Sequence, residues 1–137
     1  MKLTFKSEDM YSALDKFDVG YSYPVSAVIC NMTGFFASKK NLHSGFVALS
    51  ERNSLIIADY NMIMQETLYE IPMASIKSLK IGRKALLVGT QTIKIEFLSE
   101  GKKFRFDISI APKIIGGDFN EQEENMGAII SELQNYL

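Results

Sequence analysis

The sequence predicts a mainly β domain: about seven antiparallel strands in a bent barrel or roll, closed by a C-terminal amphipathic helix. Two observations carry this. Short apolar runs rich in Val, Ile, Phe and Tyr recur through the middle of the chain, separated by polar turns. Near the C-terminus the hydrophobic period then lengthens from that of a strand to that of a helix.

The elements follow in order. Residues 8–17 (EDMYSALDKF) place Met10, Ala13, Leu14 and Phe17 at helical spacing. Ser7 suits the cap of this short helix, and Glu8 and Asp9 suit its first turn. Residues 19–30 (VGYSYPVSAVIC) change to strand character, with a bulge or sheet edge expected at Pro24, which has no N–H to donate. Residues 31–44 read as a loop. GFVALS and SLIIADY, around the turn Glu51-Arg52-Asn53, form a hairpin. Asn61 to Gln65 is a connection, ETLYEI and IKSLKI are strands, and the glycines at 82 and 89 suit a turn and a bend. The clearest hairpin is TIKIEFL with FRFDISI, where Ile93, Ile95, Phe97, Phe104, Phe106, Ile108 and Ile110 alternate with polar residues. In the last stretch Asp118 and Glu121 have capping-box spacing. Met126, Ile129, Ile130, Leu133 and Leu137 make one apolar stripe.

Composition bounds the function. With 137 residues the chain is one domain's length, and such a domain buries roughly two-thirds of its unfolded surface. Residues 1–18 read as an N-terminal helical extension and 19–137 as the domain. Fifteen basic and sixteen acidic residues leave a net charge of −1, which argues against a nucleic-acid binder. A single cysteine, Cys30, excludes an internal disulfide and a cysteine zinc site. No signal-like apolar run follows the N-terminus, so a cytoplasmic protein is expected.

Several passages resemble the pleckstrin-homology-like superfold, including small bacterial and GRAM-type domains. They are GFVALSERNSLIIAD (45–59), YEIPMASIKSLKI (69–81), the hairpin TIKIEFLSEGKKFRFDI (92–108) and the helix 118–137. The tryptophan common in the last helix of eukaryotic members is absent. The resemblance implies a seven-stranded bent barrel closed by a helix. It implies no enzyme activity, and it permits recognition of lipid headgroups, peptides or proteins.

Candidate chemistry is sparse. His43 and Cys30 are the sole histidine and cysteine, and a dyad between them needs a loop and a strand to meet. No phosphate-binding loop, nucleophile elbow or metalloprotease motif occurs, and no cofactor or metal is expected. Phe35, Phe36, Lys39 and Lys40 form an apolar and basic loop of the kind that binds anionic headgroups, without a bidentate phosphate fork. Met62, Ile63 and Met64 make an apolar connection suited to a protein interface. Lys77, Lys80, Arg83, Lys84, Lys94, Lys102, Lys103 and Arg105 crowd the middle strands, while acids crowd the end of the chain, a self-complementary pattern or ordinary surface charge. The expected function is a non-catalytic binding or scaffolding module that recognises a protein, a peptide or a second copy of itself. Peripheral binding to anionic lipid is the alternative.

Overall fold

Period-two alternation lays down seven strands, and one helix precedes and another follows them. The computed structural model describes residues 5–31, 42–60, 65–83, 89–114 and 116–136. The elements are α1 (Ser7–Asp15), β1 (Tyr21–Asn31), β2 (Leu42–Ser50), β3 (Ser54–Tyr60) and β4 (Glu66–Pro72). A 3₁₀ turn (Met73–Ser75) follows, then β5 (Ile76–Arg83), β6 (Gln91–Ser99), β7 (Lys102–Ile110) and α2 (Gln122–Gln134). The strands form one antiparallel sheet in the order β4-β3-β2-β1-β7-β6-β5. It is open: β4 and β5 are its two edges.

The sheet is strongly bent. In a flat sheet β4 and β7 would lie about 19 Å apart, four strand spacings. Instead the Tyr69 ring on β4 meets Phe106 on β7 with centroids 4.9 Å apart. The concave face gathers residues of every strand into one core, including Ile29, Val47, Ile57, Ile71, Leu79, Ile95 and Ile108. The apolar stripe of α2 (Met126, Ile129, Ile130, Leu133) seals that core. The bulge expected near Pro24 is present, with the register of β1 and β2 shifting between Ser22 and Val25. Tyr23 sits there at φ 58°, in the left-handed region.

β2 and β3 depart from clean alternation because both of their faces are covered. Phe46, Ala48, Ile56 and Ala58 point to the convex side, where Met10, Ala13 and Leu14 of α1 bury them in a second small core. Phe5 closes it, 5.3 Å from Phe46 and 5.0 Å from Tyr60 between centroids. Two capping expectations are corrected. Lys6, not Ser7, is the N-cap of α1. Asp118 forms no capping box for α2, whose own N-cap is Glu121 without a side-chain cap bond. Asp118 instead accepts from the Ser7 N–H at 2.6 Å and the Ser7 hydroxyl at 2.9 Å, serving the start of the other helix. Those bonds hold its carboxyl below the usual range.

A polar network fastens the β2–β3 turn to β4. Arg52 donates to Glu70 at 2.8 and 3.1 Å, and the buried Ser54 hydroxyl donates to it at 2.6 Å. The Ser54 bond first, and then Arg52, hold the Glu70 carboxyl below its ordinary value of 4.5. A depressed folded pKa stabilises the fold above the unfolded value, and that contribution disappears as pH falls through the folded one. Acid unfolding followed by circular dichroism therefore shows a stability loss below about pH 4.5 that is smaller in Glu70→Gln than in the parent. An equal loss in both would remove Glu70 from the account.

Candidate functional site

β1 is the central strand of the sheet, yet its convex face is open around Val28, between Tyr21 under α1 and the buried Cys30. On one side α1 occupies the convex face of β2 and β3. On the other, the convex face of β6 and β7 carries charge, with Lys103 on Glu96 and Arg105 on Asp107, both at 3.1 Å. Between them lies an open groove of about 390 Å³. Val28, Leu42, Ala111 and Ile114 give it apolar surface, and Ser44, Thr90 and Ser109 add hydroxyls. Val28 is 43% exposed and Leu42 57%. No charged side chain lines it among the described residues. Such a groove accepts an apolar group and hydrogen bonds to its polar neighbours.

One buried side chain fixes the groove's end. Gln122, 3% exposed, donates from Nε2 to the carbonyls of Ser26 at 2.8 Å and Ala111 at 2.9 Å. Its Oε1 accepts the Ser26 N–H at 3.0 Å. Ser26 and Ala111 both border the groove. α2, packed on the concave side, thus holds the β1 bulge and the exit of β7 in place.

The residues singled out from the sequence are distributed as follows. Phe35, Phe36, Lys39 and Lys40 lie outside the described residues, and so do Met62, Ile63 and Met64. His43 and Cys30 do not form a dyad. His43 pairs with Ile29 and faces the core side, whereas Cys30 pairs with Leu42 and faces the convex side. His43 is engaged elsewhere: its Nδ1 lies 3.0 Å from both carboxylate oxygens of the buried Asp59. Cys30 is 4% exposed, and burial first, then the Asp107 carboxylate, push its thiol up. It therefore stays protonated at neutral pH and is a poor nucleophile. The groove residues Val28 and Leu42 were not among the sequence candidates. Their one signal is that Val28 sits between Ala27 and Ile29, which makes both faces of β1 apolar.

Among the described residues no cluster of metal-ligating side chains occurs, and no helix is long and apolar enough to cross a membrane. Neither a known protein family nor a curated protein sequence matches the chain. A solved structure does: the hSac2 domain from human phosphoinositide phosphatase Sac2. It has a TM-score of 0.54 at 12% identity, over 97% of this chain and 83% of that one. At that identity the likeness is one of fold. It corrects the expectation that the chain is no enzyme, which was drawn from the fold resemblance. A domain of this fold is taken from a phosphatase, so the fold is no argument against an enzymatic setting.

Proposed function

We propose that this chain is a pleckstrin-homology-like recognition module that holds an apolar segment of a protein partner in the convex groove over β1. The strand order, the single antiparallel sheet and the closing C-terminal helix support the pleckstrin-homology-like reading. The exposure of Val28 and Leu42 beside a groove on the central strand carries the functional one. The solvated face of an antiparallel sheet is ordinarily polar, so exposed Val28 and Leu42 stand out there, and contiguous exposed apolar surface marks interaction sites. The described lining is uncharged, which favours an apolar occupant over an anionic headgroup. The lipid alternative rests on Phe35, Phe36, Lys39 and Lys40, and a liposome arm of the same assay addresses it.

The test is affinity capture from native lysate with the parent, Val28→Asp and Leu42→Asp, each checked for folding by circular dichroism. A partner retained by the parent and lost from both folded variants supports the groove. Aspartate in the groove has to be desolvated there without a counter-ion, so at least a tenfold loss of capture is expected, roughly 1.4 kcal/mol or more. A partner held equally by all three chains contradicts the proposal. Flotation with anionic liposomes, lost in Lys39→Ala/Lys40→Ala, would instead favour the lipid reading.

A further inference from the structure

We infer that Lys6 and Ser7, at the start of α1, position one wall of the convex groove and so set its affinity. This rests on the groove as the recognition surface and names the residues that regulate it. The wall belongs to the connection between β7 and α2, whose Ala111 and Ile114 line the groove. Gln122 holds the Ala111 carbonyl, so the connection is fixed where it begins. Further along, the start of α1 supplies the hold. Lys6 Nζ donates to the Gly116 carbonyl at 2.9 Å. Ser7 donates to the Asp118 carboxylate, from its N–H at 2.6 Å and from its hydroxyl at 2.9 Å. Among the described residues, the remaining hydrogen bonds of 112–120 are local. They run from the Asn120 N–H to the Asp118 carbonyl and from the Gln122 N–H to the Phe119 carbonyl. Phe119 packs on Phe46 with ring centroids 6.4 Å apart, in the small core that α1 closes.

The contact serves both partners. α1 has nine residues, and an isolated helix of fewer than about 12 is marginal in water. Asp118 meets an N–H of its first turn that has no partner inside the helix. Hydrogen bonds to a carboxylate are roughly twice as strong as neutral ones. In return, the connection gains its long-range bonds. The far end of α1 has its own fastenings, Lys16 on Glu66 at 2.7 Å and Arg52 on the Phe17 carbonyl at 3.3 Å. Weakening the start therefore frees the connection and leaves the helix on the sheet. The groove adjoins this seat: Ser44, which lines it, shares a face of β2 with Phe46 and pairs directly with Val28. With the connection held, Ile114 completes the apolar lining alongside Val28 and Leu42. With it freed, a group seated on Val28 loses contact area on the Ile114 side. By linkage, an occupant that needs this wall also tightens the contact between Ser7 and Asp118.

Two readouts on the full chain test this, with folding of each variant checked by circular dichroism. Ser7→Asp sets a second carboxylate against Asp118, in a first turn where a negative charge suits the helix itself. Lys6→Ala/Asp118→Ala removes both contacts, and Ser7→Thr keeps the hydroxyl. Backbone NMR relaxation reads the wall. Residues 113, 114 and 116–119 should show order parameters of about 0.85 in the parent and in Ser7→Thr, and below about 0.6 in the other two variants. Nile red, an uncharged apolar dye, reads the groove by fluorescence titration. The parent and Ser7→Thr should bind it, Val28→Asp should not, and the two disruptive variants should bind it about fivefold more weakly or worse. Dye binding that Val28→Asp abolishes and the disruptive variants leave unchanged overturns the inference while the groove stands. Order parameters that match the parent's in both disruptive variants overturn it too. A parent that does not bind the dye, or binding that Val28→Asp leaves unchanged, removes the groove and the inference with it.

Discussion

Replacing Gln122 with leucine is expected to cost roughly 3–5 kcal/mol of folding stability. The amide side chain is buried and makes bonds of 2.8, 2.9 and 3.0 Å to the Ser26 carbonyl, the Ala111 carbonyl and the Ser26 N–H. Leucine preserves the volume but leaves all of those backbone groups without a partner. Each unmet buried group costs about 1–3 kcal/mol, and partial relaxation keeps the sum below the maximum. For a chain of this size the melting temperature falls by roughly 10 °C. Calorimetry of Gln122→Leu against the parent reads this directly. A drop of only about 1 kcal/mol would show that water or a shifted backbone replaces the amide. Gln122→Glu is the sharper control, because it keeps the acceptor and loses the donor to two carbonyls.

Gly45→Ala is expected to cost about 2–3 kcal/mol, for a steric reason. A Cβ at this position would lie 2.3 Å from Ile29 Cδ1 and 2.5 Å from the carbonyl oxygen of Ala58. Ile29 can turn its side chain away, but the Ala58 oxygen belongs to the backbone of β3. The β2–β3 pair must therefore open between Gly45 and Asp59, which are direct partners in the register. Asp59 also holds His43, so the strain reaches the buried pair. Denaturant midpoints of Gly45→Ala and Gly45→Ala/Ile29→Val separate the two clashes. The double variant should recover only the Ile29 share. Full recovery in it would mean that the backbone contact carries no cost.

Much of this fold is legible in the residues themselves. The β6–β7 hairpin alternates cleanly because its convex face is polar and only its concave face is buried. The bulge at Pro24 follows from the missing N–H, and α2 from its apolar stripe. β2 and β3 were legible as strands, but their second buried face was not, since no periodicity says that α1 will fold onto it. Asp118 has capping-box spacing toward Glu121, yet a long-range bond to Ser7 takes its carboxylate. Local spacing cannot foresee a partner so distant in the chain. The groove was illegible for a similar reason. Val28 reads as one more core residue until the strand order puts β1 at the centre of the sheet with its convex face open around that residue. The loop and connection residues favoured from the sequence lie outside the described residues.

The most direct test of the groove is site-specific photo-crosslinking from position 28. A benzophenone side chain replaces Val28 in one sample and the exposed turn residue Glu100 in another. Irradiation in native lysate should give one partner crosslinked from position 28 and absent from position 100, and a peptide carrying that partner's apolar segment should compete it away. Equal crosslinking from both positions, or none from position 28 while the partner still binds, would contradict the groove as the recognition surface.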